Sequence, residues 1–339
     1  MLSNQIATSN IKMKTYQQLW QSLTPLYDAG EAQAIVRTVL DVKYGMTLTD
    51  IICGKVNEIS ADEERKLEEI IIRLQKGEPV QYVLGEADFA GRTFRVEPGV
   101  LIPRPETAEL CQWIEKDMIE KPIVSSGDSS EDSPGNSPQA TDDAKLILDI
   151  CTGSGCIAIT LGLNIPNSEV TGWDISEDAL QIAQGNVEMM EAGNVRIERQ
   201  DALALPKAAE TDNEKMKGND DKEVVKPKGE AKTPSTQKWD LIVSNPPYIC
   251  EKEKADMEKN VLEHEPSLAL FVPDEDPLKF YRAIAEYASS ALKSGGALYF
   301  EINPIYEKET REMLLKLDFK DIETKEDAFG KKRMMRAIK

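Results

Sequence analysis

The stretch Leu148-Asp149-Ile150-Cys151-Thr152-Gly153-Ser154-Gly155-Cys156-Ile157-Ala158-Ile159 decides the fold. Leu146–Ile150 reads as a buried strand, D-x-x-T-G-S-G turns the chain, and Cys156–Ile159 opens an apolar helix. Strand, glycine turn and helix together begin a βαβ unit. Gly153 and Gly155 let the backbone bend sharply and let a ligand come close without a Cβ in the way. The helix start adds unpaired N–H groups. Taken alone, such a turn is a weak signal, because glycines also end strands for plain steric reasons.

Outward from this unit the pattern repeats. Glu169–Asp174, Val195–Glu198, Asp240–Val243 and Gly296–Glu301 are further short apolar runs, with helical spacing at Ala179–Ala183 and at Leu278–Leu292. Strands spaced by helices predict an α/β fold with a doubly wound, Rossmann-like parallel sheet. Ligands of such sheets sit beyond the carboxyl ends of the strands, at the switch point.

The N-terminal third differs. Residues 14–76 read as helices, with apolar positions Tyr16, Leu19, Trp20 and Leu23, then Ala34, Ile35 and Val39, at helical spacing. Ser60 or Asp62 caps a further helix carrying Leu67, Ile70, Ile71 and Leu74 and ending near Gly77. Residues 79–105 read as strand and turn: Tyr82–Gly85, then Phe89–Gly91, Phe94–Val96 and Gly99–Ile102, with turns at Gly91 and Pro98–Gly99. The expected organisation is a helical domain over 1–78, a β-hairpin linker over 79–105 and the α/β domain over 106–339, opening with a helix to about Glu120. Residues 122–143 are rich in Ser, Pro, Asp and Gly, and residues 207–237 set seven lysines against seven acids. Neither stretch buries enough apolar surface to offset its ordering entropy, so both are expected to be mobile insertions.

Composition excludes several classes. Asp and Glu outnumber Lys and Arg by 60 to 41, a formal charge of −19, which disfavours a broad grip on duplex nucleic acid. Five cysteines without a C-x-x-C pair, and the single histidine His264, predict no metal site. His264 lies in an acidic, Pro-flanked stretch and reads as solvated or loop-packed. No apolar run reaches the ~18 residues of a membrane span, and no export signal is read at the N-terminus. The expected address is the cytoplasm. Met13 opens a more start-like MKTYQQLW, so residues 1–12 read as a lead segment.

The loop itself narrows the ligand. G-x-G lacks the third glycine of the dinucleotide fingerprint, and no Lys-Ser/Thr follows to grip phosphate. Asp174 closes the second strand, where an acid accepts hydrogen bonds from two ribose hydroxyls. A ligand with a ribose and a cation but no phosphate suits Asp149, Asp174 and an absence of lysine; S-adenosyl-L-methionine is such a ligand. Asp201, after the third strand, is placed to accept from the adenine amino group, against the competing reading of a surface turn acid. At the end of the fourth strand stands Ser244-Asn245-Pro246-Pro247-Tyr248. The prolines remove two donors and fix φ, Asn245 adds a side-chain acceptor and Tyr248 a π face. Such a set holds a planar NH2 by both hydrogens; a merely rigid turn is the competing reading.

These residues carry a resemblance. DICTGSG, the acid of Gly172-Trp173-Asp174 and SNPPY together resemble S-adenosylmethionine-dependent methyltransferases of the N5-glutamine and N6-adenine class. PVQYVLGEADFAGRTFRVEPGVLIPRPETAEL closely resembles the hairpin region of the HemK/PrmC family, the peptide chain release factor glutamine methyltransferases. The similarity runs from about Tyr16 to the end, including the stretch around Pro266 and the D-x-x-G-x-x-R of Asp327, Gly330 and Arg333; only the two insertions fall outside it. It implies a class I methyltransferase domain preceded by a helical substrate-docking domain. The implied reaction moves a methyl group to the side-chain amide nitrogen (N5) of a glutamine in a Gly-Gly-Gln motif. Asn245, Pro246, Pro247 and Tyr248 would hold the substrate; Asp149, Thr152, Gly153, Ser154, Gly155, Asp174, Asp201, Ala202 and Asn245 would hold the cofactor.

Two positions depart from the family pattern. Cys151 replaces a usual glycine, and Ala202 replaces an aromatic carried by some members, so adenine must stack elsewhere. Three rivals are weighed. A ribosomal-protein glutamine methyltransferase shares the tetrapeptide, but Arg104-Pro-Glu-Thr107 resembles the release-factor branch. An N6-adenine methyltransferase would use it on a flipped base, against which the acidity counts. A cofactor-sensing or docking protein would need the tetrapeptide broken. Release factors are the expected partner, and a monomer is the default state.

Overall fold

The computed structural model describes residues 15–120, 144–206 and 238–339. The lead segment 1–12 and both insertions lie outside the described residues.

The chain divides into two compact units, one of residues 1–86 with 258–264 and the other of 87–257 with 265–339. In the first, α1 (Tyr16–Gln21), α2 (Ala29–Tyr44), α3 (Leu48–Ile52), α4 (Ala61–Leu74) and α5 (Val80–Leu84) surround Leu23, Val36, Leu40, Ile71 and Leu74. The starts of α1 to α4 are capped by short polar side chains: Asp28 caps α2, and Thr15, Thr47 and Ser60 each form a reciprocal box with the residue three positions on. Ser60, not Asp62, is the cap of α4; Asp62 sits in its first turn, where a negative charge suits the helix dipole. The strand expected at Tyr82–Gly85 is instead the helix α5, closed by Gly85 at φ +79°. Its run of Val, Tyr, Val and Leu carries no period that separates a short buried strand from a helical turn.

The hairpin follows as β1 (Glu86–Phe89) and β2 (Arg92–Arg95), turned by Ala90 and Gly91 at φ +48° and +75°. Two positive φ angles are the signature of the turn whose twist matches a two-stranded ribbon. Gly99–Ile102, also expected as a strand, has no regular structure. α6 spans Pro105–Glu120.

The second unit then alternates: β3 (Lys145–Ile150), α7 (Cys156–Asn164), β4 (Ser168–Asp174), α8 (Glu177–Met189), β5 (Val195–Arg199) and β6 (Trp239–Ser244). A short parallel pair, β7 (Ile249–Cys250) and β8 (Phe271–Val272), brackets α9 (Lys259–His264) and α10 (Ser267–Leu270). α11 (Lys279–Ala291), β9 (Leu292–Glu301), α12 (Glu307–Lys316), β10 (Lys320–Glu326) and β11 (Lys332–Ile338) complete it. Among the described residues the main sheet has seven strands in the order β10-β11-β9-β6-β3-β4-β5. Five neighbours pair in parallel; β11 pairs antiparallel with both β9 and the edge strand β10, so it alone runs against the other six. β10 and β11 went unread in the sequence because charged residues interrupt both: β10 is an exposed edge strand, and in the interior strand β11 Lys332, Arg333 and Arg336 flank the buried Met334, Met335 and Ala337.

Both faces of the sheet are covered. Ile147, Leu241, Val243 and Tyr299 pack on one side with Trp113, Ile157 and Phe94; Leu148, Ile242, Leu298 and Phe300 pack on the other with Tyr281 and Ile284. Neighbouring residues of one strand thus enter different cores, which is why these strands read as continuous apolar runs. The chain order reverses between β3 and β6, and the Ser244 hydroxyl donates to the Ile150 carbonyl at 2.5 Å, tying the two strand ends together.

Candidate active site

The loop after β3 is built on a buried acid. Asp149 Oδ2 accepts from the Thr152 hydroxyl (2.6 Å) and the Ala158 N–H (3.2 Å), while Oδ1 is buried without a partner. Burial pushes its carboxyl up to about 7. Cys151, Gly153 and Gly155 all take positive φ (+65°, +54°, +80°). A Cβ on Gly155 would lie 3.1 Å from Ile159 and 3.3 Å from Ala183, so this glycine serves helix packing; one on Gly153 would meet nothing. Gly172 clears room from the next strand, since a Cβ there would stand 2.8 Å from Thr152 Oγ1.

Asp174 Oδ2 accepts from Gly153 N–H (2.9 Å) and Oδ1 from Ser176 N–H (3.0 Å). A carboxylate has about four acceptor positions, so two remain for a ligand's hydroxyls. Burial raises its carboxyl above the usual range in spite of these donors. Asp201 Oδ1 accepts from Leu203 N–H at 2.8 Å, the turn role that had competed with ligand binding.

A cleft of about 970 Å3, part of it open to solvent, lies beyond these strand ends. Thr152, Gly153, Ser154, Asp174, Asp201, Ala202, Asn245 and Pro247 line it together. Asp149, Gly155, Pro246 and Tyr248 do not. The first two act from beneath the loop, and Pro246 is buried. Tyr248, expected against the substrate, directs its hydroxyl to Glu301 Oε1 at 2.9 Å and packs its ring on the core beside the sheet.

Several lining residues were not singled out from the sequence. Ile175, Leu101, Pro103 and Phe280 supply the apolar surface that Ala202 does not. Arg104 is the lone Lys or Arg in the lining, and it is ion-paired to Glu265, whose side chain is 1% exposed. Glu265 Oε2 also accepts the Ile102 N–H at 3.2 Å. Two acids against one neutralised cation suit a cationic nucleoside without phosphate, which is the chemistry of S-adenosylmethionine. Thr107 completes the wall beside Asn245. His264 ends α9 in the helical unit and does not line the cleft.

The parallel sheet with its reversal at β3 and β6, and a cleft joining the glycine loop to Asn-Pro-Pro-Tyr, define a class I methyltransferase. Residues 141–302 match the family described as the methyltransferase domain, and residues 24–85 match the PrmC N-terminal domain. The release factor glutamine methyltransferase of Bacteroides thetaiotaomicron is 44% identical over 94% of this chain and 96% of its own. That of Flavobacterium psychrophilum is 36% identical over 96% and 98%, and that of Bacillus subtilis 32% over 96% and 98%. The chain belongs to the release factor glutamine methyltransferase family. No helix among the described residues is long and apolar enough to cross a membrane.

Proposed function

We propose that this protein methylates the side-chain amide nitrogen of a glutamine in peptide chain release factors. The observation that carries the reading is that Asn245 and Pro247 share one cleft with Gly153, Asp174 and Asp201, so an amide and a methyl donor meet there. S-adenosyl-L-methionine supplies an electrophilic methyl group on a sulfonium.

This chain's residues bind and orient. Asp174 takes two ribose hydroxyls on its spare acceptor positions, Asp201 accepts from the adenine amino group, and Ile175 and Phe280 cover the base. A glutamine amide is a poor nucleophile because its nitrogen lone pair is delocalised into the carbonyl. Asn245 Oδ1 accepts one amide N–H, and the second is assigned to the main-chain carbonyl of Pro246, between the two cleft-lining residues of the turn. Held by both hydrogens, the nitrogen turns its lone pair toward the methyl. The new N–C bond forms as the S–C bond breaks toward sulfur, and an N–H proton leaves to water afterwards. No base has to act first. Positioning of this kind supplies up to roughly 7–11 kcal/mol.

The N-terminal domain, residues 1–78, is assigned to docking the body of the factor, in the cytoplasm, with the enzyme a monomer. Incubating the protein with labelled S-adenosylmethionine and, separately, a release factor, a ribosomal protein and DNA tests the reading. Label on a release-factor glutamine is expected; label only on ribosomal protein or adenine overturns it.

A further inference from the structure

Three separate stretches of sequence, Arg104–Thr107, Asn245–Tyr248 and Asp327–Arg333, meet at one buried carboxylate that the reaction as written does not use. Glu301 ends β9, the last residue of an otherwise apolar run, and is 2% exposed. Its Oε2 accepts the Thr107 hydroxyl at 2.5 Å and its Oε1 accepts the Tyr248 hydroxyl at 2.9 Å. Arg333 Nη1 donates to the Tyr248 oxygen at 3.4 Å, and its Nε to Asp327 Oδ2 at 3.3 Å. The Asn245 amide completes the set, its Nδ2 donating to Thr107 Oγ1 at 3.2 Å.

Burial raises the Glu301 carboxyl above the usual range, while the Thr107 and Tyr248 hydroxyls and Arg333 favour its ionised form. As a carboxylate it only accepts, so it draws the single hydroxyl hydrogen of Thr107 toward itself. The Thr107 oxygen then has only lone pairs to offer Asn245, and those lone pairs select the NH2 end of the amide. The oxygen end is left for the cleft. An asparagine is nearly symmetric in shape, so packing alone scarcely distinguishes its two orientations; the polarity of its neighbour does.

We propose that Glu301, acting through Thr107, is a positioning residue that fixes which end of the Asn245 amide faces the substrate, and thereby makes the site select glutamine over glutamate. The proposal rests on the function assigned above. With the oxygen outward, Asn245 accepts from a substrate NH2 and presents a lone pair to a carboxylate. Turned round, it donates, and favours the acid.

The test measures methyl transfer and binding by calorimetry for the wild type, Thr107→Val, Thr107→Ser and Glu301→Gln. Partners are a release factor and a copy carrying glutamate at the methylated glutamine. In Thr107→Val the threonine shape stays but the acceptor goes, and kcat is expected to fall about 10-fold, the loss of one hydrogen bond's orienting preference. Cofactor affinity should stay within about 2-fold. The ratio of glutamine to glutamate affinity should shrink by a similar ~10-fold, which a merely structural role would not produce. Thr107→Ser keeps the hydroxyl and should recover both readouts; Glu301→Gln, whose amide can turn either end to Thr107 and so no longer obliges its hydroxyl hydrogen to point inward, should reduce the preference for glutamine by less than Thr107→Val. Should the buried Gln variant fail to fold, the Val and Ser pair decides alone. Lost turnover with an unchanged preference for glutamine overturns the proposal, as does a Val variant equal to wild type. A wild-type enzyme that leaves release factors unmethylated instead removes the function on which it rests.

Discussion

The loop after β3 and the turn after β6 leave adjacent strands at the same end of the sheet, yet they are held over different spans of chain. In the first, Asp149 reaches Thr152 and Ala158, Gly153 reaches Asp174, and the Ser154 carbonyl accepts from Asn186 Nδ2 at 2.9 Å, no partner more than 32 residues away. Its stiffness comes from backbone conformation, three successive odd-numbered residues at positive φ over one buried acid. In the second, Asn245 is tied to Thr107 across 138 residues, Tyr248 to Glu301 across 53 and to Arg333 across 85. Asn303 Nδ2 adds a bond to the Tyr248 carbonyl at 3.1 Å. The prolines restrict the path of that turn, but distant side chains aim it. On the roles proposed above, the local device should read out in binding of the cofactor and the device assembled from across the domain in alignment of the substrate.

The sharpest break of that contrast is Asn245→Ala. Removing a preorganised polar group at a reacting centre costs about 10²–10³ in turnover, while cofactor affinity, set by the other loop, should stay within about 3-fold. Single-turnover methyl transfer beside calorimetric titration of S-adenosylmethionine separates the two. Near-normal turnover would end the role given to this turn.

Asp174→Ala should do the reverse. It removes two hydrogen bonds to a charged acceptor, each about 1.5–3 kcal/mol, and strips Gly153 N–H of its partner. Cofactor affinity should fall roughly 100-fold or more, with kcat at saturating cofactor changed by less than about 5-fold. An equal fall in kcat would mean that the two loops are not separable.

The same division explains what the sequence disclosed. The β3 loop was legible because its requirements are local: a glycine spacing, an acid before it and another at the end of the next strand. Asn-Pro-Pro-Tyr was visible as a rigid acceptor turn, but its aim was not, since Thr107, Glu301 and Arg333 gain their roles only from the sheet order. Glu301 did leave a trace, a lone acid closing the run Ala297–Phe300. The five parallel strands announced themselves by apolar runs. The edge strand β10 did not, because an exposed strand needs no such run, and in β11 the charged Lys332, Arg333 and Arg336 break up the buried Met334, Met335 and Ala337. Tyr82–Leu84 misled for the opposite reason, being apolar, buried and too short to show a period.

The buried acid beneath the β3 loop gives the first region a pH signature, and burial raises the Glu301 carboxyl of the second in the same direction. In the folded protein Asp149 holds its proton up to about 7, against a usual carboxylate value near 3.8. The folded state therefore binds more protons than the unfolded state between these values, so stability is greatest below about pH 4 on this account and falls as pH rises toward 7. Asp174, raised in the same direction by burial, adds to the trend. Urea unfolding without cofactor should show the wild type losing on the order of 2 kcal/mol between pH 5 and pH 8 relative to Asp149→Asn, which has no proton to lose. Parallel pH profiles for the two proteins would remove Asp149 as the source.

The smallest effect is expected at the first bend of the β3 loop. Cys151 adopts φ +65°, a conformation that costs an L-residue with a side chain about 1–2 kcal/mol. Cys151→Gly removes that cost but returns about 0.4–1 kcal/mol of entropy to the unfolded chain, and it uncovers apolar surface at the cleft wall. The contributions oppose, so stability should move by less than about 1 kcal/mol and cofactor affinity by less than about 2-fold. Cys151→Val keeps a side chain but branches it at Cβ, where positive φ is least tolerated, and should lose a further ~1–2 kcal/mol. A tenfold loss of cofactor affinity in Cys151→Gly would show that the thiol, rather than the bend, is what the loop requires at this position. The local device would then depend on a side chain after all, and its contrast with the proline turn would narrow.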